Sequence, residues 1–252
     1  MAHTAVNRIG IALLDSDISL EPELARALTG EVPAHFARID YPGSVTTESL
    51  AVAAEHLIRA CGQLVKTRPD VLIYACTSGS FFAGPEHSSE LRTRVANATG
   101  IPMFTAMDAV QHSLERLRAK RVAIVSPYDT AMTGRLVAHL DELGVETIST
   151  HLLVGDRVVD DVELQNVPAH VLKQACLEAS ASSPDAVFVS CTGVRILDLV
   201  EDLEKATGVP CFSSNIAIVR LMLDLTERTM PTAFGAVLKL PTTQRKADPD
   251  HG

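Results

Sequence analysis

The sequence lacks a long hydrophobic run, and it has fewer basic than acidic residues. Its apolar stretches, such as VLIYAC at 71–76, are far shorter than the roughly 18 residues that span a bilayer. Lysine and arginine number 22 against 31 aspartates and glutamates. The resulting net charge of -9 argues against nucleic acid or an anionic membrane as a partner. The opening residues, MAHTAVNRIG, show no charged segment followed by an apolar block, so we expect no signal peptide and a cytoplasmic protein.

Motifs for metals and nucleotide cofactors are also missing. The five cysteines have no C-x-x-C spacing, the nine histidines form no H-E-x-x-H pattern, and no glycine-rich nucleotide-binding motif is present. We therefore expect free thiols, no metal site and no bound cofactor. Hydrophobic residues make up 46% of the chain and charged residues 21%, which excludes an intrinsically disordered protein.

Short apolar runs alternate with stretches of helical periodicity, which is typical of an α/β fold. The runs are continuously apolar, as expected for a parallel sheet that is covered on both faces. Predicted helices include 108–118 and 194–206, each with an apolar stripe on one face. The predicted strands are 9–14, 33–38, 71–75, 101–104, 122–125, 145–152, 186–190 and 210–212.

An internal repeat is the most informative feature of the sequence. PDVLIYACTSG (69–79) and PDAVFVSCTGV (184–194) align without a gap, so that Cys76 corresponds to Cys191. In each copy a predicted buried strand ends at a Cys-Thr pair. Such self-similarity indicates two similar α/β halves of about 110 residues each.

The repeat predicts an α/β fold of two similar, doubly wound lobes with parallel sheets, related by a pseudo-twofold axis. We expect an N-terminal lobe over 1–105, a C-terminal lobe over 106–240 and a flexible tail over 241–252. Ligands of open α/β sheets bind beyond the carboxyl ends of the strands. Cys76 and Cys191 should therefore face one cleft between the lobes, and a helix starting after each cysteine would lower the pKa of its thiol.

Two opposed thiols suit proton transfer at carbon. A thiolate on one face removes a proton from a carbon or adds to it, while the thiol on the other face delivers a proton. Racemisation next to a carboxylate and cis–trans isomerisation of an activated alkene both need this arrangement. The hydroxyl residues and glycines that follow Cys76 and Cys191 favour a ligand-contacting turn, whereas the other three cysteines are predicted to be packing residues. These are Cys61, Cys176 and Cys211.

The motifs ACTSG (75–79) and SCTG (190–193) resemble those of the aspartate/glutamate racemase superfamily. The similarity extends through 9–24 and 208–219 and is greatest for the branch that holds maleate cis–trans isomerases, arylmalonate decarboxylases and ectoine-utilisation proteins. This resemblance implies a two-lobed fold, a reaction without a cofactor, and a homodimer. The apolar segment 216–223 also favours a homodimer.

The resemblance also implies roles for individual residues. Cys76 would be the nucleophile or base, and Cys191 the opposing acid or base. Asn215 would either cap the last helix or join the site. The residues implied to bind the carboxylates of a small carboxylic-acid or amino-acid substrate are Thr77, Ser78, Tyr128, Thr192 and Gly193.

Asp17 departs from the pattern of the maleate isomerases. The resemblance places it where those enzymes have a substrate-binding asparagine. Maleate is a dianion, and a carboxylate about 4 Å from one of its charges would cost about 4 kcal/mol at an effective dielectric constant near 20. An amino acid would instead present an ammonium group that Asp17 or Asp15 could bind. Alternatively, Asp17 caps the helix that begins near Ile18 or Ser19.

Four functions remain open from the sequence. The first is a cofactor-independent isomerase of small carboxylic acids, most similar to the maleate cis–trans isomerases, and the second is an amino-acid racemase. The third, an arylmalonate-type decarboxylase, is less compatible because the resemblance implies a single cysteine there, with glycine in place of Cys76. The fourth is a non-catalytic carboxylate-binding protein of the same fold.

Overall fold

Eight parallel strands form the centre of the molecule. The structure is a computed structural model, and it describes residues 6–30, 32–229 and 234–243. All eight predicted strands are confirmed, with bounds that differ by at most two residues. They are β1 Ile9–Leu14, β2 Ala34–Ile39, β3 Val71–Ala75, β4 Met103–Thr105, β5 Arg121–Ser126, β6 Glu146–Leu152, β7 Ala186–Val189 and β8 Cys211–Ser213.

The strands form two sheets with the same topology. The first has the order β2-β1-β3-β4 and the second the order β6-β5-β7-β8, and every pairing is parallel. Strands β1, β3 and β7 are buried along their whole length, as the continuously apolar runs predicted. The helices are α1 Leu20–Leu28, α2 Thr47–Leu64, α3 Thr77–Phe81, α4 Gly84–Thr99, α5 Ala106–Leu117, α6 Thr130–Glu142, α7 Asp161–Gln165, α8 Ala169–Ser180, α9 Val200–Thr207, α10 Ser214–Thr226 and α11 Gly235–Lys239, with a 3-10 turn at Val65–Thr67.

The two halves repeat their hydrogen bonds as well as their strand order. The Asp70 carboxylate accepts the backbone N–H groups of Asn7 (2.8 Å) and Arg8 (3.0 Å), just before β1. Asp185, its counterpart in the repeat, accepts those of Lys120 and Arg121 at 2.8 Å each, at the start of β5. The repeated Pro-Asp pair therefore has a local structural cause, because it fixes the first strand of each sheet beside the third.

Helices α5 and α10 hold equivalent places in the two halves and pack against each other. Thr105 caps α5 and Ser213 caps α10, so the expectation that Asn215 caps the last helix is wrong. Segment 216–223 is buried within the chain itself, because α10 also contacts α1 and α11. The apolar character of this segment is thus explained by internal packing and does not provide a face for a second copy.

One further expectation needs correction. The helix predicted over 194–206 begins only at Val200, because the preceding residues run irregularly and bond across to the first half; the Leu197 N–H, for instance, donates to Glu23 at 2.8 Å. The bounds of the two lobes and of the tail stay predictions. At the start of the predicted tail, the Thr243 N–H donates to Asp224 at 2.9 Å. The rest of that tail, 244–252, lies outside the described residues.

Candidate active site

Residues of both halves line one small cavity at the carboxyl ends of β1, β3 and β7. Its space amounts to about 20 Å³, roughly enough for one water molecule. Seven of the eight sequence-predicted site residues line it, and Tyr128 is the exception. The lining residues are Leu14, Asp17, Val45, Cys76, Thr77, Ser78, Asp161, Gln165, Cys191, Thr192 and Gly193.

Cys76 follows β3 directly and is the N-cap of α3. Its Sγ accepts the Gly79 N–H at 3.3 Å and lies 3.8 Å from the Ser78 hydroxyl. A side chain at position 79 would not fit, because its Cβ would lie 2.1 Å from the Tyr74 hydroxyl and 3.0 Å from the Cys76 sulfur. The glycine of the first motif is therefore required by the close approach of the thiol and this buried tyrosine.

Cys191 reaches the cavity with a different backbone conformation. Its φ angle is +90°, in the left-handed region that non-glycine residues rarely adopt. Its Sγ accepts the Gly193 N–H at 3.3 Å. Strain of this kind persists where surrounding structure enforces it, often at functional sites. Here Ser19 in the first half bonds the Gly193 carbonyl at 2.9 Å and helps hold the turn.

The expected lowering of the thiol pKa values is wrong. Burial raises the pKa of Cys76 to about 11, although the Gly79 N–H and the Ser78 hydroxyl partly offset it. Burial also raises the pKa of Cys191 well above its usual range, and the Asp161 carboxylate adds to that rise. In the second half no helix starts directly after the cysteine. Cys76, which has more donors, is therefore the more readily ionised thiol.

Asp17 both caps the start of α1 and lines the cavity, the two roles that the sequence left open. Its Oδ1 accepts the N–H groups of Ser19 (2.8 Å) and Leu20 (3.0 Å) at the start of α1. Its Oδ2 is buried without a hydrogen-bond partner, and the residue lines the cavity at only 4% exposure. Asp15, by contrast, is exposed and is not among the lining residues.

The hydroxyl groups beside the thiols are partly engaged with other residues. Thr77 donates to Ser214 at 2.8 Å, which ties α3 to α10. Tyr128 lies behind Cys191 instead of in the lining, with its hydroxyl accepting from Ser190 at 3.2 Å. Tyr128 is thus next to Cys191 but outside the lining, and its contact with a substrate carboxylate stays a prediction. Its ring packs edge-on against Phe81, which accounts for its burial.

Asp161 and Gln165 are site residues that the sequence reasoning missed. They belong to α7, in the irregular connection 153–168 between β6 and α8, which we term the α7 segment. Ser16 donates to the Asp161 carboxylate, and the Gln165 side chain bonds Ile18 N and Ser16 O at 2.9 Å each. The acidic stretch DDVE has no motif and looks like a solvated surface, so no sequence signal distinguished Asp161.

Neither a metal centre nor a membrane span was found in the parts of the chain that the structure describes. No cluster of three or more histidine, cysteine or acidic side chains there could hold a metal ion. No helix among the described residues is long and apolar enough to cross a bilayer. All five cysteines are free thiols.

Two α/β halves with a cysteine from each in a shared cavity define a class of two-lobed, thiol-containing proteins. The chain belongs to the arylmalonate decarboxylase family, whose model matches residues 41–235. A maleate isomerase of Nocardia farcinica is 28% identical over 222 residues, which cover 84% of this chain and 87% of that protein. An arylmalonate decarboxylase of Bordetella bronchiseptica is 29% identical over 236 residues, which cover 88% of this chain and 90% of that protein.

Solved structures agree on the fold. A maleate isomerase variant from Pseudomonas putida S16, crystallised with maleate, superposes with a TM-score of 0.84 at 23% identity, covering 92% of this chain and 97% of that one. A cysteine variant of the Nocardia farcinica maleate cis–trans isomerase, with a covalently bound succinylcysteine intermediate, also superposes with a TM-score of 0.84. It is 24% identical, and the match covers 92% of this chain and 98% of that one. The predicted two-lobed fold with parallel sheets is confirmed.

Proposed function

We propose that this protein is a cofactor-independent isomerase of small carboxylic acids, working through two opposed cysteines in the manner of the maleate cis–trans isomerases. The observation that carries the proposal is the pair Cys76 and Cys191, which come from equivalent strand ends of the two halves and line one cavity. Their charges interact, since an ionised Cys76 raises the pKa of Cys191. A single buried packing cysteine would not produce this pairing.

The reaction on a maleate-like alkene needs only these two groups. The Cys76 thiolate adds to one alkene carbon, and the π-electron pair moves to the neighbouring carbon, where Cys191 delivers a proton. The former double bond is then single and rotates. When Cys191 takes the proton back, the thiolate leaves and the trans alkene forms. Thr77, Ser78, Thr192 and Gly193 are proposed to hold the carboxylates during these steps.

A homodimer and a cytoplasmic location complete the proposal. The homodimer rests on the family resemblance. The location is supported by the five unpaired thiols, which persist in a reducing compartment. Light scattering at micromolar protein tests the assembly, because a mass near 27.0 kDa would mean a monomer.

The activity is tested directly with maleate. We expect alkene absorbance to change as fumarate forms, equally well after exhaustive dialysis against a chelator, and this turnover to be lost in Cys76→Ala and Cys191→Ala. Full turnover in both variants would overturn the two-thiol mechanism. A requirement for added metal or nucleotide would overturn the cofactor-free reaction. Tight binding of carboxylates without any turnover would indicate a binding protein instead.

A further inference from the structure

Tyr74 buries a hydroxyl group that the packing of the protein does not require. The residue lies near the end of β3 and is 0% exposed. Its hydroxyl has no hydrogen-bond partner. Buried polar atoms are nearly always hydrogen-bonded, and a phenylalanine would fill the same space without burying a hydroxyl. The unpaired group therefore indicates a use in a state of the protein other than the resting one.

This hydroxyl lies beside the sulfur of Cys76. Tyr74 and Cys76 are two residues apart in an extended stretch, so their side chains leave the backbone on the same side. A Cβ at Gly79 would lie 2.1 Å from the Tyr74 Oη and 3.0 Å from the Cys76 Sγ, so both atoms border the same small gap. The glycine at position 79 therefore lets the phenol approach the sulfur that carries the proposed addition.

The charge on the sulfur decides whether the two groups form a strong hydrogen bond. A thiol sulfur is a weak acceptor, whereas a thiolate accepts strongly. Burial raises the pKa of Cys76 to about 11, and the Gly79 N–H, the Ser78 hydroxyl and the Tyr74 hydroxyl partly offset the rise. Burial also raises the pKa of Tyr74 well above its usual range, and an ionised Cys76 raises it further. The phenol therefore keeps its proton and serves as a donor.

The titratable groups around the pair do not stabilise a thiolate by charge. Asp161 lies near Cys76, and its carboxylate raises the pKa of that thiol. Tyr41, which follows β2, and Cys61, on α2, lie near Tyr74. Burial raises the pKa of Cys61 to about 12 and that of Tyr41 well above its usual range, so both are neutral near pH 7. An ionised Cys76 thus depends on neutral donors such as the phenol.

The second half has no such group at the equivalent strand position. Val189 takes the place of Tyr74 in the repeat. Tyr128 lies near Cys191, but its hydroxyl already accepts from Ser190 at 3.2 Å. The repeat has thus kept both thiols and placed an unpaired phenol beside one of them. This difference agrees with the assignment of Cys76 as the more readily ionised thiol.

We propose that Tyr74 is a positioning residue for the two-thiol reaction, whose hydroxyl donates a hydrogen bond to the Cys76 sulfur when that sulfur carries the negative charge. The inference rests on the proposed function, because it concerns the thiolate that adds to the alkene. The O–H bond of Tyr74 stays intact throughout. The hydrogen bond forms when Cys76 ionises and weakens again once the sulfur is bonded to carbon.

The test measures the ionisation of Cys76 without any substrate. Wild type and Tyr74→Phe are alkylated with iodoacetamide between about pH 7 and 9, and mass spectrometry of the peptides gives the rate at each cysteine. A hydrogen bond to a charged group shifts a pKa by about one unit, so the thiolate fraction of Cys76 should fall about tenfold in the variant. The more basic thiolate is more nucleophilic, which recovers about threefold.

Cys76 alkylation should therefore be about threefold slower in Tyr74→Phe. Cys191 lies in the same cavity and reports reagent access, so its alkylation should change by less than about twofold. With maleate, kcat/KM of Tyr74→Phe should fall about threefold or more at pH 8. Its pH profile should stay parallel to that of the wild type, because the loss acts through the thiolate fraction.

Stability separates this role from a purely structural one. Because the hydroxyl is unpaired in the resting protein, Tyr74→Phe should keep or raise the melting temperature. Tyr41→Phe is the matched control, because it also removes a phenol oxygen that is buried without a partner. Apart from burial, an ionised Cys76 raises the pKa of Tyr41 through its charge alone. Tyr41→Phe should therefore change Cys76 alkylation by less than about twofold.

The outcomes separate this inference from the proposed function. Unchanged Cys76 alkylation in Tyr74→Phe, equal changes at Cys76 and Cys191, or an equal effect of Tyr41→Phe would overturn the role of Tyr74. A lower melting temperature of Tyr74→Phe would also overturn it, whereas maleate turnover by the wild type would still support the two-thiol function. Without maleate turnover in the wild type the proposed function fails, and slower Cys76 alkylation in Tyr74→Phe would still support the hydrogen bond.

Discussion

Cys76 and Cys191 each accept one backbone N–H bond of 3.3 Å, from Gly79 and Gly193 respectively. The same contact is made from two backbone conformations, an extended one at Cys76 (φ -139°) and a left-handed one at Cys191 (φ +90°). The repeat therefore preserves the thiol and its donor but not the local chain path. The two sulfurs are related in position and different in environment, so their roles in catalysis need not be equivalent.

Removing either thiol should abolish most of the isomerisation. In Cys76→Ala and Cys191→Ala we expect turnover to fall by about 10² to 10⁴, the loss typical of a missing general acid or base. The serine variants should be nearly as damaging, because a hydroxyl ionises far less readily than a thiol. Cys211→Ala is the control, since this buried residue lies outside the cavity and should change melting temperature more than turnover. Near wild-type turnover in both cavity variants would exclude the mechanism.

Cys191→Gly should be more stable than Cys191→Ala. The left-handed conformation costs a non-glycine residue about 1–2 kcal/mol, and glycine adopts it freely. Glycine also increases the entropy of the unfolded chain, so a net gain of about 1 kcal/mol is expected from denaturant unfolding. The same pair of substitutions at Cys76 should show no such gain, because its φ is ordinary. If Cys191→Gly were less stable than Cys191→Ala, the backbone strain at position 191 would be absent.

Activity should rise with pH above neutrality. Because burial raises the pKa of Cys76 to about 11, the thiolate fraction of the free protein increases about tenfold per pH unit well below that value. The logarithm of kcat/KM should therefore climb with a slope near one between about pH 7 and 9, since this parameter reports ionisations of the free enzyme. A profile that is already flat at pH 7 would mean that the thiolate is present before substrate binds.

Asp161→Asn should gain stability relative to the wild type as pH rises. Burial raises the pKa of Asp161 from 3.8 to about 6, so the folded state holds this proton more tightly than the unfolded chain does. The resulting stability is complete below about pH 4 and is lost as pH rises through 6. The difference in melting temperature between variant and wild type should grow from pH 4 to 7 and then level off. The control Asp160→Asn should show a smaller change in this melting-temperature difference. An equal change would mean that the loss of one negative charge, and not the burial of Asp161, causes the effect.

The strands and the shared cavity could be predicted from the sequence because they depend on local and repeated patterns. Continuous apolar runs mark fully buried strands, and the alignment of Cys76 with Cys191 places both at strand ends in topologically equivalent sheets. The sequence also points to Asp17, whose two oxygens divide the capping role and the cavity position between them.

The path of 193–197, the position of Asp161 and the thiol pKa values depend on tertiary contacts that no sequence pattern shows. The apolar stripe at 194–206 has a helical period, but bonds from Glu23 and Ser19 across the cleft hold 193–197 in an irregular path. Asp161 reaches the cavity only through the tertiary position of the α7 segment. The thiol pKa values are raised and not lowered, because the effect of burial is larger than that of the N–H and hydroxyl donors. The degree of burial depends on the tertiary structure, which the sequence pattern does not show.

The α7 segment lines a cavity that has room for about one water molecule, and maleate is larger than that. The segment is held to the first half by a bridge between Ser44 and Asp160, by the Gln165 contacts, and by the Ser16–Asp161 bond. We expect these contacts to break and re-form when a substrate binds. Affinities would then include the free energy of opening, because only the open population would accept a ligand. Product release would be no faster than the movement of the segment, and no change to the thiols would raise that limit on turnover.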